Sequence, residues 1–118
     1  MAIVLDEPQG DACMTAIEEA DRLLISAGTV AEALIVASRR NVREEISLLI
    51  SSLGFEIVSV TAAAARRVAQ AYSRWGDGVH PAGLNYGDCF SYEVAKEHDC
   101  PLLYADEDFT QTDVRRAC

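Results

Sequence analysis

The feature that most constrains the fold of this sequence is the alternation of short apolar runs with longer helical patterns. Residues 23–25, 55–60 and 101–104 are short runs rich in apolar and β-branched side chains, which are typical of buried strands. Between them lie segments of ten or more residues with helical spacing of apolar groups. Such β–α–β units place their strands parallel and cover both faces of the sheet with helices. The sequence therefore predicts an α/β fold.

Helical periodicity and breaker residues set the expected element boundaries. The segment 29–40 is apolar almost all round and is predicted to be a buried helix, while Gly54 is the predicted end of the next helix. Residues 76–87 contain several glycines and a proline and are predicted to form a loop. The predicted helices occupy five segments: residues 8–21, 29–40, 41–53, 62–74 after a cap at Thr61, and 88–98. In the fourth helix, the predicted inward side chains are Ala65, Val68, Ala69 and Tyr72.

Length and cysteine spacing exclude several protein classes. A chain of 118 residues supports one domain, so we expect residues 1–118 to form a single unit. Its four cysteines are widely spaced without a C-x-x-C pair, which argues against a zinc or redox motif. The sequence contains neither an apolar run long enough to cross a membrane nor the pattern of a signal peptide. We therefore expect a cytoplasmic protein.

The net charge is −9, with 19 acidic against 10 basic residues. Such an acidic surface disfavours non-specific binding of a nucleic-acid backbone, which depends on neutralising phosphates. Local arginine patches, a metal that bridges to phosphate and a basic protein partner remain possible. Six glutamates fit polar, solvated helix faces: Glu18, Glu19, Glu44, Glu45, Glu93 and Glu97.

Glu32, Asp88 and Asp106 do not fit the pattern of solvated surface acids. Glu32 lies within an apolar helix that follows a predicted strand, Asp88 lies at a helix start, and Asp106 follows the last predicted strand, with Asp108 close behind. Each has an ordinary alternative: a hydrogen bond to a neighbouring helix start, a helix-terminus role or turn chemistry. Together, however, they would meet at the carboxyl edge of one parallel sheet. Crowded carboxylates favour Mg²⁺ or Mn²⁺, and such a cation supports phosphodiester hydrolysis by a metal-dependent nuclease.

Three stretches carry a resemblance to a known family: SAGTVAEA, HPAGLNYGDCFSYEVAK and PLLYADEDFTQTD. In this order they resemble the PIN-domain ribonucleases, specifically the VapC-type toxins of toxin–antitoxin pairs. The resemblance runs over nearly the whole chain, and LNYGDCFSYEVAK is its most specific part. It implies a three-layer α/β/α sandwich with a central parallel sheet, dependence on Mg²⁺ or Mn²⁺, and cleavage of RNA. It also implies a homodimer and neutralisation by a cognate antitoxin.

The resemblance assigns roles to individual residues. Glu32 matches the second acid of the family, Asp88 the third and Asp106 the fourth, with Asp108 as the alternative for the fourth. The first acid has no match, because the family opens with a strand that carries it, whereas MAIVLDEP resembles the end of the helix that follows. A downstream start, a truncated chain, or a neighbouring strand or second chain that fills the gap would each explain this. The resemblance also suggests that Asn85 and Ser91 shape the site. Independently of it, Arg39, Arg40 and Arg43 are candidates for RNA contact, although a basic helix end on the solvated surface is the interpretation that we favour.

Three functional hypotheses follow. The first is a toxin-type ribonuclease that uses a carboxylate-held metal. The second is a catalytically impaired, truncated module that keeps the antitoxin groove, formed by helices within residues 9–21 and 29–53. The third, a phosphoacceptor domain, requires an acid pair just after the first strand and a lysine late in the chain, but the only lysine is Lys96 within a predicted helix. Trp75 and Tyr86 could stack on RNA bases, although packing in the core or in a loop is the interpretation that we favour.

Overall fold

The computed structural model describes residues 3–6, 21–103 and 108–116. Within them, four strands form one sheet in the order β3–β2–β1–β4: β1 Ile3–Asp6, β2 Arg22–Ser26, β3 Glu56–Val58 and β4 Leu102–Leu103. The helices are α1 Ala27–Arg39, α2 Arg43–Ser52, α3 Ala62–Trp75 and α4 Tyr86–Glu97, followed by a 3₁₀ turn, Asp108–Gln111. The predicted α/β fold is confirmed. The predicted helix within residues 8–21 lies outside the described residues.

The strand directions place three carboxyl ends at one edge of the sheet. β2 runs parallel to β3, with Ile25 opposite Ile57. β1 runs antiparallel to β2 and to β4, so that Val4 lies opposite Leu24 on one side and Leu102 on the other. Consequently β2, β3 and β4 all point the same way. The carboxyl ends of these three sequence-predicted strands therefore lie at the same edge, as the βαβ pattern indicates.

The sequence analysis placed residues 3–6 at the end of a helix, and that assignment is wrong. Ile3–Asp6 is a strand between β2 and β4, with hydrogen-bonded neighbours on both sides. Without it, β2 and β4 would each present an unpaired backbone edge in the middle of the sheet. Ile3, Val4 and Leu5 are apolar residues that suit an inner strand. β1 therefore occupies an inner position of the sheet and runs opposite to both of its neighbours.

Side-chain caps define two of the helix starts. The Thr61 hydroxyl accepts a hydrogen bond from the Ala64 amide at 3.1 Å, which confirms the predicted cap of α3. Asn85 caps α4, so this helix begins at Tyr86, two residues before the predicted start. Gly87 is therefore helical, and its assignment to the preceding loop is wrong. Asn85 overrides the breaker signal of the glycine because its side chain accepts a hydrogen bond from a helix-start amide.

The core lies between the sheet, α3 and α4. Leu24, Leu84, Leu102 and Phe109 are almost fully buried. In α3 the buried residues are Ala64, Val68, Ala71 and Trp75. Of the predicted inward set only Val68 is buried, because the buried face of the helix follows Trp75 instead of Tyr72.

A polar network within this packing joins α3, α4 and the C-terminal segment. The Trp75 indole N–H donates to the Tyr92 hydroxyl at 3.0 Å, and that hydroxyl donates to Asp113 at 2.6 Å. Burial and the hydrogen bond to Asp113 raise the pKa of Tyr92 to about 12, which keeps the hydroxyl protonated at neutral pH. Trp75 is thus a packing residue whose indole N–H already has a partner inside the protein.

Glu93 is also buried, contrary to the solvated position predicted for it. Only 6% of its surface is exposed, and its carboxylate accepts a hydrogen bond from the Arg67 guanidinium at 3.0 Å. Packing of α3 against α4 covers this carboxylate. The guanidinium supplies the opposite charge that a buried carboxylate requires.

Helix α1 is less buried than its composition predicts. Thr29 and Ala37 are its buried residues, whereas Ile35 is 56% exposed and Val36 42% exposed. The sheet and α4 cover one face of α1 and leave much of the apolar remainder uncovered. Among the described residues, no helix is both long and apolar enough to cross a membrane.

Candidate active site

Helix α1 carries Glu32 away from the carboxyl edge of the sheet. Ser26 ends β2, and its side chain accepts a hydrogen bond from the Gly28 amide at 3.1 Å, so that α1 begins directly at this edge. Glu32 follows in the second turn, and its side chain is exposed. It is not embedded among apolar groups as the sequence suggested, because α1 is covered on one face only.

Asp88 takes part in a reciprocal cap at the start of α4. The Asn85 side chain accepts from the Asp88 amide at 2.8 Å, and the Asp88 carboxylate accepts from the Asn85 amide at 3.1 Å. This capping box holds the carboxylate in one orientation. The proposed helix-start role of Asp88 is therefore real. Asn85 sets the orientation of the Asp88 side chain.

Gly87 lets the Glu32 carboxylate of α1 lie against the backbone of α4. A Cβ atom at Gly87 would overlap the Glu32 carboxylate, so this carboxylate lies directly against the backbone at Gly87. Asp88 is the next residue, and Gly87 itself is buried. Sequence reasoning missed this contact. The breaker pattern placed Gly87 in the loop before α4, so no packing role was expected for it.

A buried hydrogen bond joins the same two helices one turn away from the acids. The hydroxyls of Thr29 and Ser91 lie 3.2 Å apart, and both residues are buried. Thr29 precedes Glu32 by three residues, and Ser91 follows Asp88 by three. Residues at this spacing lie on one face of a helix. The bond therefore fixes the separation of the two helix faces that carry the acids.

Cys89 also adjoins the site, but it is chemically quiet. Burial and then the negative charge of Asp88 raise the pKa of Cys89 to about 11. At neutral pH the side chain is a neutral thiol, whereas nucleophilic attack and metal ligation both require the thiolate. The carboxylates are therefore the chemically active groups at this edge of the described residues.

A cleft of about 260 Å³ runs from Glu32 along α1 and α2. Its apolar lining includes Val36, Val42 and Ile46, and Arg40 lies two helical turns beyond Glu32. Arg39, Arg40 and Arg43 are all exposed at the junction of the two helices. The cleft thus combines an acidic end, an apolar wall and a basic end.

Comparison with known proteins identifies the family. Residues 1–115 match the PIN domain. The chain belongs to the PIN-domain family. Ribonuclease VapC42 of Mycobacterium tuberculosis is 40% identical over 123 residues, a match that covers 100% of this chain and 93% of the relative. The resemblance to VapC-type proteins is confirmed.

Two further relatives agree with this assignment of the PIN domain. Ribonuclease VapC30 of Mycobacterium tuberculosis is 39% identical over 118 residues, with 97% of this chain and 89% of the relative covered. Ribonuclease VapC of Mycolicibacterium smegmatis is 38% identical over 117 residues, with 97% and 91% covered. The similarity extends over nearly the whole length of each protein.

Of the four acids predicted in this PIN domain, the structure describes the side chains of two. The Glu32 carboxylate lies against Gly87, the residue before Asp88, while Asp106 lies outside the described residues. Asp108 begins the 3₁₀ turn, but its side chain lies outside them too. In the described part of the chain, no three His, Cys, Asp or Glu side chains form a metal-binding group. Glu32 and Asp88 nevertheless supply carboxylate oxygens, the ligands that Mg²⁺ and Mn²⁺ prefer.

Proposed function

We propose that this PIN-domain chain is a metal-dependent endoribonuclease and the toxin of a type II toxin–antitoxin pair. The observation that carries the proposal is the contact of the Glu32 carboxylate with Gly87, beside the capped Asp88. Two carboxylates that lie close together repel each other unless a cation or a proton lies between them. Relatives named as ribonucleases match this chain over nearly their whole length, and they support the same activity.

Glu32 and Asp88 would hold Mg²⁺ or Mn²⁺, and we propose Asp106 and Asp108 as the further ligands. When bound, this ion activates water and neutralises charge on a phosphodiester oxygen. Asn85 contributes by fixing the Asp88 carboxylate, and Ser91 contributes through its bond to Thr29. The protein thereby holds two ligands ready before the metal arrives, which reduces the reorganisation needed on binding.

Contact with RNA needs positive charge that most of this acidic chain lacks. Arg39, Arg40 and Arg43 are exposed near the cleft that begins at Glu32. We propose that they contact RNA phosphates, Arg40 being the best placed because it lines the cleft itself. Phosphate contacts of this kind position a substrate without reading its sequence.

The metal and the role of Glu32 can be tested together by RNA cleavage. With Mn²⁺ present the chain should cut a structured RNA, and EDTA should abolish the cleavage. Glu32→Gln should lower the rate at least about tenfold, or about 1.4 kcal/mol of transition-state stabilisation. The physical reason is that an amide oxygen replaces a charged ligand while the side-chain shape is kept.

Glu45→Gln is the matched control, because Glu45 is an exposed acid of α2. It should cleave RNA like the parent. Equal activity of Glu32→Gln and the parent would contradict the proposed role of Glu32. A chain that stays inert with Mn²⁺ but binds the antitoxin would favour the binding module instead.

We also propose that the cleft between α1 and α2 binds an apolar helix of the cognate antitoxin. Its support is the uncovered apolar surface of these two helices, which includes Ile35, Val36 and Val42. An amphipathic helix lies in such grooves with its apolar face inward. Homodimer formation, which the family resemblance implies, stays a prediction.

Val42→Ser should weaken antitoxin binding about tenfold, because it removes an apolar wall of the cleft. Serine is a favoured residue at the N-cap position that Val42 holds, so α2 should remain folded. Isothermal titration calorimetry with the purified antitoxin measures the change. Leu48→Ser, at a residue that is 67% exposed and does not line this cleft, is the control. Equal loss in both variants would contradict the proposed location.

A further inference from the structure

Helices α1 and α4 approach each other closely through two glycines. Gly28 of α1 lies against the ring of Phe90 on α4, and a Cβ atom there would come within 2.7 Å of the ring atom Cγ. Gly87 of α4 lies against the Glu32 carboxylate of α1, where a Cβ atom would overlap the carboxylate. Each helix thus has one glycine against which a side chain of the other helix lies. The Thr29–Ser91 hydrogen bond lies in the same contact.

The two contacts differ in what they accommodate. Phe90 is a buried apolar ring, so the contact at Gly28 is core packing. Glu32 is an exposed carboxylate, so the contact at Gly87 is not core packing. Gly87 occupies a buried position in the first turn of α4. Alanine at this position would favour the helix more than glycine does.

The backbone conformation of Gly87 does not explain the choice of glycine. Gly54, Gly78 and Gly83 have positive φ angles, which favour glycine whatever surrounds them. Gly87 lies within the regular helix α4 and is not among the positive-φ glycines. The space that its missing side chain leaves is therefore the feature that matters, and the Glu32 carboxylate occupies that space.

We propose that Gly87 is a positioning residue that seats the Glu32 carboxylate beside Asp88. The inference rests on the proposed function, because the space at Gly87 sets how the Glu32 carboxylate is presented to the metal. Asp88 is held by the capping box and Glu32 by the space at Gly87. Any side chain at position 87 displaces Glu32 toward solvent and separates the two ligands while the fold remains intact.

The test is Gly87→Ala, followed by Mn²⁺ binding in ¹H–¹⁵N spectra and in calorimetry. In the parent chain, Mn²⁺ should broaden the amide signals near Glu32 and those of residues 87–88. In Gly87→Ala, broadening should persist at Asp88 and weaken near Glu32, and Mn²⁺ affinity should fall about tenfold or more. The melting temperature should stay equal or rise, because alanine favours the helix and the Glu32 side chain can move away.

Glu32→Asp provides a rescue that a purely structural role would not give. The shorter side chain should weaken Mn²⁺ binding when introduced alone, yet improve it when added to Gly87→Ala, because it avoids the new methyl group. Gly54→Ala is the matched control, since it strains a positive φ with nothing within 4 Å of the added carbon. It should lower the melting temperature and leave Mn²⁺ affinity unchanged.

Two results of the Mn²⁺ measurements would overturn the proposal. One is unchanged Mn²⁺ binding in Gly87→Ala, and the other is an equal loss of affinity in Gly54→Ala. A metal-free measurement separates this inference from the proposed function. Gly87→Ala should raise the melting temperature more in a Glu32→Ala background than in the parent, because the overlap is then absent. Equal changes of the melting temperature in both backgrounds would disprove the contact of Glu32 at Gly87, whether or not the chain cleaves RNA.

Discussion

Asp88→Asn is expected to lower metal-dependent RNA cleavage by at least about 100-fold, or about 2.7 kcal/mol of transition-state stabilisation. The substitution removes one negative charge from the proposed metal site. Asparagine keeps an oxygen that can accept from the Asn85 amide, so the start of α4 should persist. Steady-state cleavage of a fluorescent RNA as a function of Mn²⁺ concentration measures the effect.

Asp88→Ala separates the charge from the cap. It should be as inactive as Asp88→Asn but should also lose about 0.5–1.5 kcal/mol of stability, because the hydrogen bond to the Asn85 amide is gone. Asp77→Asn, at an exposed loop position, is the control for loss of an acid and should retain full activity. Parental activity in Asp88→Asn would remove Asp88 from the site and leave it with the capping role alone.

Phe109→Ala is expected to lower the free energy of unfolding by about 3–5 kcal/mol. Phe109 is only 1% exposed, belongs to the central hydrophobic cluster and starts the segment that returns to the sheet after β4. Total stabilities are roughly 5–15 kcal/mol, so much of the stability would be lost. We expect the melting temperature to fall by roughly 10–20 °C.

Chemical denaturation with urea gives the same quantity independently of heating. Gln111→Ala, at an exposed position of the same 3₁₀ turn, should change the free energy of unfolding by no more than about 0.5 kcal/mol. Phe109→Leu should lie between the two because it leaves a smaller cavity. A loss below about 1 kcal/mol in Phe109→Ala would show that the cluster closes around the missing ring.

Local signals predicted the parts of the fold that depend on neighbours in the sequence. The strands after residues 22 and 55 and the Thr61 cap each follow from a few adjacent residues. The family resemblance added Glu32 and Asp88 as predicted site residues, and the structure places the Glu32 carboxylate against Gly87, the residue before Asp88.

The errors concern features that only tertiary contacts decide. Glu93 has the sequence context of a solvated acid, yet α3 supplies Arg67 and covers it. Gly87 has the local signature of a turn, yet Asn85 starts a helix ahead of it. Residues 3–6 form a strand because they pair with the backbone edges of β2 and β4. For Glu93 and for residues 3–6 the partner lies far away in the sequence, so periodicity cannot reveal it; for Gly87 the nearby Asn85 cap was a local signal that the glycine outweighed.

The inner position of β1 has a consequence for how this protein folds during its synthesis. Val4 pairs with Leu24 early in the chain and with Leu102 near its far end. Closing a contact over so long a stretch of chain is slow and entropically unfavourable. During synthesis, one edge of β1 therefore waits for β4 until almost the whole chain has left the ribosome. A nascent chain that lacks β4 therefore has an incomplete sheet, with one edge of an inner strand unpaired.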